Sequence, residues 1–180
     1  MAGGISAWKG VEARGALDAG MEYFSGASEA GELIALSLAL EEGNRVFYER
    51  AALEAGNEQA AAAFRDLALA EERHKETLLA LRARVAGQDD GPGTAAGAEE
   101  TVLEGGIPVG EALERVRNRP PEDALAFSIA MEANALDRYI KMGRAVGDDR
   151  SREAFLALAR EEQSHLERMS SLLDRFRGGS

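Results

Sequence analysis

The stretch FRDLALAEERHKETLLAL at residues 64–81 has a second copy, FLALAREEQSHLERMSSL at 155–172, and this pair decides how the whole chain is read. Positions 64, 67, 71, 74, 78 and 81 follow the three-and-four spacing of one helical face and read Phe, Leu, Glu, His, Leu, Leu. The equivalent row 155, 158, 162, 165, 169 and 172 reads Phe, Leu, Glu, His, Met, Leu. The same two polar residues interrupt the same apolar seam, and they include both histidines of the chain. At an offset of 91 the match extends without a gap over 35–81 and 126–172. It pairs Ser37 with Ser128, Glu41 with Glu132, Tyr48 with Tyr139, Gly56 with Gly147, Glu71 with Glu162 and His74 with His165.

Working outward, each copy is the second arm of a helical hairpin. The first long helix is expected from Ser28, an N-cap residue, to Ala55. Gly56 stops it, Asn57 caps the next, and the second helix runs from Glu58 to Val85. A third runs from Glu122 to Val146, with Gly147 and Asp148 as stop and cap, and a fourth from Asp149 to Phe176. The stretch 87–121 is rich in Gly and in small or acidic residues, and reads as a long crossover with one short helix within 108–119 ahead of Pro120-Pro121. The fold class is therefore all-α: an antiparallel four-helix bundle of two repeated hairpins, 28–86 and 122–177. Residues 1–27 form a Gly-rich tail or linker before the bundle at 28–177.

Composition narrows the function. The 180 residues carry 32 acidic against 21 basic side chains, a net charge of −11, which disfavours nucleic acid and anionic membrane surfaces. There is no cysteine, so disulfides, zinc–thiolate sites, iron–sulfur clusters and thiol catalysis are excluded for this chain. No apolar run is long enough to span a bilayer, and Met1 is not followed by a signal segment, so the cytoplasm is the expected location.

The seam carries the chemistry. On the first helix Ile34, Leu38, Glu41 and Tyr48 share a stripe, and on the third Leu125, Ile129, Glu132, Leu136 and Tyr139 do likewise. Each helix thus sends one carboxylate inward. Glu41 and Glu71 are separated by 30 residues, as are Glu132 and Glu162. Four ionised carboxylates in a core repel one another and are costly to desolvate unless compensated. Two divalent cations would neutralise them, and a Glu and a His three apart on a helix can present an oxygen and a nitrogen to one ion. Glu41, Glu71, His74, Glu132, Glu162 and His165 are the candidate ligands, suited to iron, manganese or zinc. Tyr48 and Tyr139 are read first as packing and second as hydrogen-bond partners of liganding carboxylates. Glu72 and Glu161 adjoin the motif off the seam and read as solvated, and the repeat-matched Glu76 and Glu167, two past each histidine, read as surface salt-bridge residues.

Glu41, Glu71-x-x-His74, Glu132 and Glu162-x-x-His165 resemble the di-iron carboxylate signature of the ferritin-like superfamily. Within residues 28–177, MEANALDRYIKM (131–142) and LAREEQSHLERM (158–169) are most similar to its rubrerythrin-related branch. The resemblance implies two bound iron ions and an oxidoreductase that reduces hydrogen peroxide or dioxygen, protecting against oxidative stress. The alternatives are a ferroxidase or iron-handling protein, and a structural metal-binding or interaction module. Two positions depart from rubrerythrin: the extra carboxylate one turn past the third-helix Glu is Ala135, with Asn44 at the equivalent place in the first hairpin, and the cysteine-ligated electron-transfer module has no counterpart. A separate electron donor is therefore expected. So is a homodimer, whose helices close within one chain or exchange between two. GGISAWKG (3–10) resembles the closing segment of a rhodanese domain, as in rhodanese–rubrerythrin fusions.

Overall fold

A computed structural model describes residues 30–85 and 101–178. It shows four long helices and one short one: α1 (Ala30–Glu54), α2 (Glu58–Val85), α3 (Val109–Val116), α4 (Pro121–Ala145) and α5 (Asp149–Gly178). The expected all-α bundle of two hairpins is what forms, with long-helix boundaries within about two residues of those read from the caps. The 1–27 tail with its rhodanese-like segment, the Ser28 cap and residues 87–100 of the crossover lie outside the described residues. Among the described residues no helix is long and apolar enough to cross a membrane.

The tight turns are made by the residues the sequence nominates. Asn57 Oδ1 accepts the backbone N–H groups of Gln59 and Ala60 at 2.8 and 3.2 Å, satisfying two of the donors that open α2. Asp148 Oδ1 accepts the N–H of Ser151 at 2.8 Å at the start of α5. Pro121 opens α4, where a missing N–H costs nothing.

The crossover holds a feature absent from the sequence reading. Val102–Leu103 (β1) and Ile107–Pro108 (β2) pair antiparallel, with Gly105 and Gly106 both at positive φ in the turn between them. This hairpin is pressed onto α1 at Gly43. A Cβ built there would lie 1.9 Å from the Val102 carbonyl oxygen, so only glycine admits the strand. Leu103 is fully buried, and Asn44 Oδ1 accepts the Glu104 N–H at 3.1 Å. The strands are too short for a period-two pattern to show, but Gly-Gly flanked by Val-Leu and Ile-Pro is a hairpin signal in its own right.

All twelve seam positions of α2 and α5 are buried. They are flanked by two apolar clusters. One gathers Phe47, Phe64, Leu67, Phe127, Met169 and Leu172, and the other gathers Ile34, Leu78, Leu81, Met142, Phe155 and Leu158. The polar residues lie between them, at mid-length of the bundle. On α1 and α4 the expected stripe is shifted slightly. Leu38, Ile129 and Leu136 are only half-buried, while Ser37 and Ser128 are fully buried and donate to the carbonyls four residues back, Leu33 and Ala124. A serine that satisfies its hydroxyl on its own helix is small enough for the close approach of a neighbouring helix.

Candidate metal centre

The structure brings all six candidate ligands together. Glu41, Glu71, Glu132 and Glu162 are 0% exposed, His74 is 0% and His165 is 2% exposed. Each helix contributes what its register dictates: one Glu from α1, one from α4, and a Glu–His pair a turn apart from each of α2 and α5.

His74 Nδ1 lies 3.2 Å from Glu41 Oε2, 3.3 Å from Glu71 Oε2 and 3.1 Å from Glu162 Oε1. His165 Nδ1 lies 3.1 Å from Glu132 Oε2 and 3.2 Å from Glu162 Oε2. Glu162 thus turns one oxygen toward each histidine, and the two imidazoles stack at 5.4 Å. Ligand atoms of Glu41, Glu71, His74 and Glu162 fall within 4.8 Å of one another, as do those of His74, Glu162 and His165.

A ring nitrogen carries at most one proton and cannot satisfy three carboxylates at once. Both oxygens of Glu71 and Oε1 of Glu162 are buried with no hydrogen-bond partner. Orphaned carboxylate oxygens in a core are costly, and a cation is the group that would serve several of them together. The residues therefore fit a metal centre liganded by oxygen and nitrogen.

Electrostatics agree. Burial and the charges of Glu41 and Glu132 push Glu71 well above the usual carboxylate range. Burial and the Glu162 charge push Glu132 up to about 8. Burial also works against Glu162, but its contacts with His165 and His74 outweigh it and bring that group down to about 2. For His165 burial opposes the charge, yet Glu132 and Glu162 win and raise it to about 9. His74 is raised in the same way by Glu161, Glu162, Glu41 and Glu71. Protons thus occupy the centre when no metal does, and metal binding must displace them.

Both tyrosines are fully buried and donate across the bundle, Tyr48 to Glu132 Oε1 and Tyr139 to Glu41 Oε1. Each tyrosine thus bonds a seam carboxylate of the opposite hairpin, and the repeat makes the arrangement reciprocal between α1 and α4. Glu72 is half-exposed beside Lys75 and Arg45, and Glu76 and Glu167 are exposed. Glu161 is also half-exposed, but its Oε2 comes within 3.3 Å of His74 Nε2, on the side of the ring opposite the carboxylates. Ala135 is buried, and Asn44 spends its oxygen on the crossover backbone.

Two residues were missed in the sequence. Arg138 is 1% exposed and Glu104, from the crossover hairpin, 3%. Arg138 donates its Nε to Glu104 at 2.9 and 3.1 Å, Nη1 to Ser37 Oγ at 2.9 Å and Nη2 to Glu41 Oε1 at 2.7 Å. Its guanidinium also lies 4.0 Å from the centre of the Tyr139 ring. Met131, Ala135, Arg138 and Met142 form a helical stripe in which one arginine stands among apolar residues, and that was the available signal. Glu104 had none, because only the folded crossover brings it inside.

Residues 32–104 match the family model described as Rubrerythrin. No curated protein and no solved structure matches the chain. The matched segment holds Glu41, Glu71, His74 and Glu104, and the internal repeat supplies counterparts of the first three in Glu132, Glu162 and His165. Within residues 32–104 the chain is therefore similar to a rubrerythrin-type domain, of the ferritin-like di-iron superfamily.

Proposed function

We propose that this protein is a non-haem di-iron oxidoreductase that reduces hydrogen peroxide or dioxygen. The observation that carries the reading is the buried, twice-repeated Glu and Glu-x-x-His set, whose orphaned oxygens call for cations. Glu41, Glu71, His74, Glu132, Glu162 and His165 would hold the metals. Two ferrous ions held there would supply the two electrons that reduce hydrogen peroxide to water, or dioxygen to hydrogen peroxide.

The chain's own residues prepare the site. Glu162, with one oxygen toward each histidine, is placed to span the two positions. Tyr48 and Tyr139 orient Glu132 and Glu41; burial pushes both phenols up, so they stay protonated donors. His74 and His165 present Nδ1 inward, which requires the neutral ring as ligand. The apolar clusters on either side exclude water from the ends of the seam. With no cysteine in the chain, electrons would come from a separate donor protein.

Anaerobic loading with ferrous ion, followed by peroxide, tests the proposal. The expected result is rapid oxidation of two ferrous ions per chain for one peroxide consumed, repeated when a reductant is added and without accumulation of ferric mineral. Oxidation no faster than that of free ferrous ion would sink it, and steady mineral growth would favour iron handling instead.

A further inference from the structure

The repeat that makes the centre nearly symmetric is broken beside Glu41. Arg138 occupies the position that Phe47 holds in the other hairpin, an offset of 91. Phe47 is fully buried among aromatic rings and offers Glu132 no donor. Glu41 Oε1 therefore accepts from both Tyr139 and Arg138, whereas Glu132 Oε1 accepts from Tyr48. The arginine is fastened on its far side by Glu104 and Ser37.

We infer that Arg138, held by Glu104, is a positioning residue that makes the two metal positions unequal, reserving one oxygen of Glu41 and weakening the position shared by Glu41 and His74. This rests on the di-metal reading above. With Oε1 committed to two donors, Glu41 offers a cation Oε2, the oxygen that faces His74 Nδ1 at 3.2 Å. A guanidinium 2.7 Å from the same carboxylate also withdraws electron density from it and repels a second cation.

One contact acts in the opposite sense. Glu161 lies by His74 Nε2 and would raise the basicity of that ring. Its side chain is 49% exposed and 3.3 Å away, whereas Arg138 and Glu41 are both buried at 2.7 Å. Charges in water are screened far more than charges in a core, so the Arg138 effect prevails. The position at Glu132 and His165 fills first.

Titration of the metal-free protein with Co²⁺, followed by visible absorbance, tests this. Partners of metal ligands move affinity by about 10- to 100-fold, so wild type should bind two ions in steps whose Kd values differ by about tenfold or more. Arg138→Met with Glu104→Leu removes the pair and its charge together, leaving each of Glu41 and Glu132 with one tyrosine donor. Both steps should then merge to within about threefold, by tightening of the weaker one. Glu104→Gln keeps the shape but leaves the Arg138 charge uncompensated, and should widen the gap, a change of opposite sign that loss of fold would not produce. Two ions bound by wild type in steps of equal affinity, or a gap unchanged in both variants, overturns this inference alone. Absence of Co²⁺ binding to wild type overturns the di-metal reading, and this inference with it.

Discussion

Gly43→Ala separates two opposed effects in one methyl group. Helix propensity favours the change by about 1 kcal/mol, since Gly43 sits in the interior of α1. Packing opposes it, because the new Cβ would stand 1.9 Å from the Val102 oxygen, 2.6 Å from its carbonyl carbon and 3.1 Å from the Leu103 nitrogen. These are backbone atoms and cannot rotate away, so β1 must retreat by roughly 1.5 Å to regain ordinary contact. Overpacking of this kind costs about 1 to 3 kcal/mol. The retreat also carries Leu103 out of its contacts and draws Glu104 from Arg138, and complete loss of a buried ion partner costs about 3 to 5 kcal/mol.

Partial loss of that pair, less the propensity gain, gives an expected net destabilisation of about 2 to 4 kcal/mol. In urea unfolding of the metal-free protein the midpoint should fall by about 1 to 2 M. Gly143→Ala is the matched control: its new Cβ meets Cγ and Cδ2 of the Leu156 side chain at 3.1 Å and the nearest backbone atom, the Arg152 oxygen, only at 3.6 Å, so a small side-chain shift relieves it and stability should move by less than about 1 kcal/mol. If Gly43→Ala is as stable as wild type or more so, the hairpin is not seated on α1 as described, and the reasoning that places Glu104 in the core fails with it.

The metal-free bundle should lose stability as pH rises from about 4.5 to 9. Glu132 is raised from 4.5 to about 8 and His165 from 6.5 to about 9, so in those windows the folded state holds more protons than the unfolded one. Glu162, lowered from 4.5 to about 2, acts in the opposite sense and costs stability only as pH falls below 4.5. Thermal melts across this range should show the decline in metal-free protein and its disappearance in the loaded form, where metal replaces the protons; a pH-independent melt of the metal-free protein refutes the proton assignment. Glu71→Leu should change sign with loading. Removing two orphaned buried oxygens should stabilise the metal-free protein by about 1 to 3 kcal/mol, while the loaded protein loses a ligand and melts lower. Glu41 would be a poor choice for this test, because its removal strands Arg138 Nη2 and Tyr139.

Residues related by short spacing and by the repeat were legible from sequence alone. The apolar seam of α2 and α5, the carboxylate and imidazole interrupting it, the caps at Asn57 and Asp148 and the pairing of two hairpins all follow from helical periodicity and local backbone chemistry, which act over a few residues. Duplication did the rest, since a polar residue that recurs at the same core position cannot be an accident of surface composition. What Tyr48 and Tyr139 touch, and which way Arg138 points, depended on how α1 and α4 approach one another, and no spacing along a single helix encodes that distance. From sequence the crossover shows a Gly-rich connection with one short helix, and its strands, only two residues long, leave no pattern. Its place against Gly43, and the arrival of Glu104 beside Arg138, are set by packing between segments far apart in the chain. The sequence by itself determined the helices, the repeat and the inward set of carboxylates and imidazoles; tertiary structure decided the hydrogen bonds that hold those side chains, and broke the symmetry between the two halves.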